Sequence, residues 1–153
     1  MDARTEGGAA AAQKEVVITR VFDAPRRLVF AAWSSAERLK KWWGPNGFTV
    51  PACDVEFRAG GKFDLCMRGP DGVDYWMRGA FREVVAPERI VFTSVIDPKE
   101  KQEIVTTVTF AEAGGKTTLT VRQTVPVNPA MARGQRQGWT ESLERLAAHV
   151  GRR

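Results

Sequence analysis

One histidine, His149, and two cysteines, Cys53 and Cys66, are all the imidazole and thiol ligands that this chain offers. Zinc sites need three or four such groups at characteristic spacings, so no metal is expected, and no cofactor motif is present. Gly60-Gly61 and Gly114-Gly115 sit in turn-like surroundings, with no helix start after them to cradle a phosphate. Long hydrophobic runs are missing too: nothing approaches the ~20 apolar residues that span a bilayer. The opening MDARTEGGAAAAQK lacks the basic start and apolar centre of a secretory signal. Residues 1–13 read as a flexible tail and residues 14–153 as one domain. The cytoplasm is the expected location, and membrane insertion is not expected.

Charge of one sign is also in short supply. The net charge is only +5, and its basic residues are scattered: Arg26-Arg27, Lys40-Lys41, Lys99 and Lys101, Arg133 and Arg136, Arg152-Arg153. No basic cluster is interleaved with an aromatic ladder, so nucleic acid is not an expected partner. The hydrophobic fraction of 43% and charged fraction of 27% are those of a globule with one good core.

The pattern then reads from strand to helix and back. EVVITRVF (15–22) is rich in β-branched residues and stops before Asp23-Ala24-Pro25, which predicts a helix from Pro25 to Trp33. Ser34 or Ser35 caps a second short helix, SAERLKKWW, ended by Gly44-Pro45. After this the period changes to two. FTVPACDVEF, GKFDLCMR, VDYWMRGAFREVV, RIVFTSVI, EIVTTVTF and KTTLTVRQTV are six β-like runs divided by short Gly- or Pro-bearing turns, including Asp97-Pro98-Lys99. Short connections make them an antiparallel meander. Asn128-Pro129 opens a closing helix whose Trp139, Leu143, Leu146 and Val150 form one apolar stripe, weakened early by Gly134 and Gly138. An antiparallel sheet with one apolar face needs cover, and this helix is its lid.

On the first hairpin, matching apolar faces pairs Phe57 with Phe63, Val55 with Leu65 and Cys53 with Met67. Cys66 then points to the other face, which argues against a disulfide.

The segments FDAPRRLVFAAWSSAERLKKWWGP, RAGGKF, RGPDG, GAFREVVAPERIVFT, TTVTF, GGKTTLTV and the closing GW-ESLERLAAHV resemble the bacterial SRPBCC (START-like) proteins. Within these the chain is most similar to the group named after the activator of heat-shock-protein-90 ATPase. The resemblance spans residues 15–150. It implies an α+β helix-grip fold, with a curved antiparallel sheet of about seven strands around a long C-terminal helix and two short helices after the first strand. It also implies a cavity between sheet and helix, in which relatives hold lipids, sterols, polyketides or other apolar molecules; some relatives are cyclases. The eukaryotic activator carries a separate N-terminal chaperone-binding domain, where this chain has a short tail before its first strand.

Strand alternation supplies the inward set. Val55, Phe57, Phe63, Leu65 and Met67 lie on the first hairpin, Tyr75 and Met77 continue it with Gly79 opposite Phe63, and Phe92, Val108, Phe110, Leu119 and Val121 follow. Met131, Trp139 and Leu143 approach from the helix. Adjacent residues of a helix diverge by about 100°, so Trp42 and Trp43 cannot fill one spot. Either one packs under the sheet while the other faces the cavity mouth beside Phe48, or both close the core. The candidate ligand contacts are thus Trp43, Phe48, Val55, Phe63, Leu65, Met67, Tyr75, Met77, Phe92, Trp139 and Leu143. No catalytic residue is assigned. Asp64, Glu56 and Arg122 face outward by alternation, the serines at 34, 35, 94 and 142 have no nucleophile–base context, and His149 faces solvent. Glu83 shares a face with Met77 and Phe81 if no bulge intervenes, and otherwise pairs with an arginine at the strand end.

The expected function is binding of a small hydrophobic or amphipathic molecule. A cyclase- or hydrolase-like enzyme using the same cavity is one alternative, and a co-chaperone-like module with a protein partner is another. A monomer and a homodimer are equally compatible with the sequence.

Overall fold

The computed structural model describes residues 13–95, 103–126 and 129–150. The tail, the turn at Asp97-Pro98-Lys99, the cap at Asn128 and the side chain of Met131 lie outside the described residues. The elements follow in order as β1 (Gln13–Phe22), α1 (Arg26–Ala31), α2 (Ala36–Leu39), β2 (Thr49–Val55), β3 (Lys62–Arg68), β4 (Asp74–Val85), β5 (Arg89–Val95), β6 (Glu103–Ala113), β7 (Lys116–Pro126) and α3 (Pro129–Val150). All strand neighbours are antiparallel, in the order β1-β7-β6-β5-β4-β3-β2. Strands β2 to β7 therefore form the expected meander, and β1 adds beyond β7. This is an α+β helix-grip fold. No helix among the described residues is long and apolar enough to cross a membrane.

Both early helices are shorter than their sequence pattern. Pro25 stands at the N-cap of α1 rather than inside it. In α2 the Ser35 Oγ accepts the Arg38 N–H at 3.2 Å, which satisfies one of the orphan donors of a helix start. The helix ends at Leu39, and the N–H groups of Trp42 and Trp43 both return to the Leu39 carbonyl, at 3.2 and 3.0 Å. The two tryptophans thus leave on a tightened turn instead of a continuing helix.

The β2–β3 hairpin is offset by two residues from its expected register. Val55 opposes Phe63 and Cys53 opposes Leu65, in place of Leu65 and Met67. The reason lies in Phe57. It leaves the ladder and packs its ring against Phe30 and Phe81, with centroids 5.6 and 5.3 Å away, so the connection from Glu56 to Gly61 becomes longer. Gly61 is seated on the Glu56 carbonyl so closely that any Cβ would collide with it. A shift of two residues keeps every side chain on its face. Cys53 and Cys66 accordingly point to opposite faces, and both are free. Pro51, which cannot donate to a ladder, falls on β2, an edge strand, where the register is also irregular.

The core forms between the inner face of the sheet and α3. Phe63 opposes Gly79 as expected, and Phe92, Val108, Phe110, Leu119 and Val121 are all buried. On the helix side, Leu143 and Leu146 are fully covered, each contributing about 1.5–3 kcal/mol by its removal from water.

Candidate ligand pocket

Gly44 ends the turn after α2 with φ +102°, a conformation that side chains other than glycine's rarely tolerate. From there a short loop runs to Phe48 and is fastened to α3 by three side chains. Ser142 Oγ accepts the Gly44 N–H at 3.1 Å, and Glu141 Oε1 accepts the Asn46 N–H at 2.9 Å. The Arg145 Nη1 donates to the carbonyls of Trp43, Gly44 and Pro45 at 3.2, 2.9 and 3.0 Å. Capture of the Asn46 N–H, helped by Gln137, holds the Glu141 carboxyl below the usual carboxylate range. The loop is therefore a fixed rim.

Beside this rim, α3 stands away from the β3–β4 hairpin and leaves a cavity of about 250 Å³. Trp43, Phe48, Met67, Tyr75, Met77 and Trp139 form its apolar walls, and Gly134 and Gly138 of α3 face it without a side chain. Trp43 is only 4% exposed and packs edge-on against Trp139 and Phe63, at 5.3 and 5.5 Å between centroids. Trp42 is wholly buried elsewhere, its Nε1–H donating to the Ala32 carbonyl at 3.1 Å. One tryptophan thus builds the core and the other is both core and cavity wall. Phe48 and Tyr75 face each other at the mouth, 6.1 Å apart.

Of the eleven candidate contacts, the fold brings these six to the cavity: Trp43, Phe48, Met67, Tyr75, Met77 and Trp139. The other five do not line it. Phe63, Leu65, Phe92 and Leu143 are buried in the core behind it, and Val55 packs partly buried on that core. The alternation pattern found the right face, but a face longer than the cavity includes residues that only pack.

Three polar residues of the inner face went unassigned. Ser94 follows Phe92 on β5, Thr106 precedes Val108 on β6, and Gln123 follows Val121 on β7, each two positions along from an inward apolar residue. All three are buried, and Ser94 and Gln123 line the cavity. Gln123 Nε2 donates to Thr106 Oγ1 at 2.9 Å, while its Oε1 is buried with no hydrogen-bond partner among the described residues. A buried polar atom left unpaired costs about 1–3 kcal/mol. The same two-residue period that marks the inward hydrophobics would have found these positions.

Among the described residues, no Asp, Glu, His, Lys or Arg lines the cavity. Glu83 is removed from the inner face by a bulge between Phe81 and Glu83, which inserts Arg82 and turns the following side chain outward. It is exposed and paired with Arg89 Nη2 at 2.8 Å. Glu56, Asp64 and Arg122 pair with Arg58, Arg78 and Glu15 at 3.5, 3.8 and 3.5 Å. Burial pushes the Cys53 thiol up to about 11 and raises that of Cys66, so neither is a ready nucleophile at neutral pH. Among the described residues no three metal-ligating side chains gather.

Residues 23–151 match the family described as Activator of Hsp90 ATPase homolog 1-like protein. Among solved structures, a protein from Chromobacterium violaceum shares 28% identity at a TM-score of 0.80, over 91% of this chain and 98% of that one. The AHSA1 protein from Silicibacter pomeroyi shares 26% at a TM-score of 0.80, over 90% and 97%. A protein from Nitrosomonas europaea, at 22% identity and a TM-score of 0.75 over 88% and 92%, shares the fold. No protein of curated function matches the sequence.

Proposed function

Because this chain belongs to the family of Activator of Hsp90 ATPase homolog 1-like proteins, we propose that the space between its sheet and C-terminal helix binds a small apolar or amphipathic molecule. One observation carries the reading: a cavity of about 250 Å³ with aromatic and methionine walls stays open in an otherwise packed core. Apolar walls with a few convergent polar groups are the usual make-up of a small-molecule site. Binding is favoured over catalysis because, among the described residues, no carboxylate, histidine or lysine that could serve as a general acid or base reaches the lining.

Native mass spectrometry of the protein purified from its own host tests this. A stoichiometric mass increment, released on denaturation, is expected. Gly138→Trp, which fills the cavity from α3, should be isolated empty. An equal increment in both proteins would place the molecule elsewhere. If neither carries one, and a panel of lipids and aromatic compounds also fails to bind, the reading is wrong.

A protein partner is a second reading, favoured by the exposed Val73, Tyr75 and Trp76 around the β3–β4 turn and by the family's name. Partner binding at that surface should survive Gly138→Trp.

A further inference from the structure

On the inner face of the sheet, Thr106 of β6 lies directly opposite Gln123 of β7, and Ser94 of β5 sits diagonally from Thr106, opposite Ile104; all three are buried. Thr106 takes one end of the Gln123 amide, and the other end, Oε1, has no partner among the described residues. Such atoms are rare in folded proteins, and an orphan bordering a cavity points to a group that arrives later. Gln123 is one of the residues that line the cavity. The terminal torsion of glutamine is broad and soft, so a small turn presents the oxygen to an occupant.

We infer that the pocket selects a neutral one- or two-ring molecule carrying a hydroxyl or N–H, and that Gln123 Oε1 accepts this donor. The inference rests on the pocket-binding reading and adds the chemistry of the ligand. Neutrality follows from the lining. With no Lys, Arg, His, Asp or Glu on it among the described residues, a carboxylate or ammonium would lose its hydration without compensation. Arg145, the nearest basic group to the rim, already spends its Nη1 on three backbone carbonyls. Size follows from volume. An apolar cavity of about 150 Å³ takes up benzene, so about 250 Å³ suits one substituted ring or two fused ones. The walls agree, since Trp43, Trp139, Phe48 and Tyr75 offer flat faces and edges to an aromatic guest.

Four probes of one shape separate the possibilities: naphthalene, naphthol, acetonaphthone, which only accepts, and naphthoate, which is charged. Affinities are read by calorimetry or tryptophan fluorescence on the unmodified protein and on Gln123→Leu. Naphthol is expected to bind about tenfold tighter than naphthalene, the worth of one buried hydrogen bond. In Gln123→Leu that preference should fall to about one while naphthalene binding is kept. Because the first comparison needs no variant, it stands even if Gln123→Leu folds poorly. Equal binding of naphthol and naphthalene by the unmodified protein overturns the inference and leaves the pocket reading intact. So does tighter binding of acetonaphthone or naphthoate, or a naphthol preference that persists without Gln123. If none of the four binds, the inference falls, and the pocket reading is decided separately by the native mass measurement and the lipid panel.

Discussion

Trp42 donates its Nε1–H to the Ala32 carbonyl and touches no part of the cavity, whereas Trp43 forms one of its walls. Chain neighbours on a tight turn point in different directions, so the pair joins two surfaces at the cost of one aromatic side chain each. Trp42→Phe keeps most of the buried area but removes the donor. It is expected to lower stability by about 2 kcal/mol in urea unfolding and to leave naphthol affinity unchanged. An unaltered unfolding midpoint would show that the hydrogen bond contributes nothing. Gln123 illustrates the opposite difficulty. Its position on the inner face is readable from period two, but its unpaired oxygen depends on Thr106 from a neighbouring strand.

Among elements, the contact that shapes the pocket is between a loop and a helix about a hundred residues apart in the chain. Glu141, Ser142 and Arg145 lie on one side of α3 and together hold residues 43–46. The Glu141 carboxyl is held below its usual range by the Asn46 N–H first and Gln137 second. A depressed folded pKa means that its contribution is full above the ordinary carboxylate range and is lost as pH falls through the lower, folded value. Hydrogen-exchange protection of the Asn46 amide should therefore decline in acid. In Glu141→Gln, whose side chain still accepts but does not titrate in this range, the decline should vanish. An identical acid response in both proteins would assign the effect to another group. The bulge on β4 belongs to this scale as well. One inserted residue moved Glu83 from the inner face to the surface, and nothing in FREVV marks where a ladder will slip.

For the molecule as a whole, stability and an open cavity oppose each other. Gly134 and Gly138 lie inside α3, where glycine costs about 1 kcal/mol relative to alanine. A Cβ at Gly134 would meet nothing within 4 Å, and at Gly138 only Pro45 Cγ at 3.7 Å. Alanine at both positions is thus expected to stabilise the protein by about 1–2 kcal/mol, seen as a higher Tm, while weakening uptake of two-ring probes. A higher Tm with undiminished uptake would mean that these glycines are not there to keep the space clear. Gly79 is a different case: its Cβ would run into the Thr93 carbonyl, so close strand packing demands the glycine.

Local pattern along the chain sets the order of elements, the meander, the inward faces and the apolar stripe of α3. Each of these follows from short-range periodicity and turn chemistry. Even the two-residue slip of the first hairpin left the faces intact, because side chains alternate with a period of two. Which inward residues pack and which border space is set by long-range contacts. Phe63 and Met67 share a strand face, yet one is core and the other cavity wall. That division depends on where α3 leans on the sheet and where it is held off by a loop it grips, a matter of contacts between distant segments. Periodicity reports which way a side chain points. What it meets there is settled by the rest of the chain.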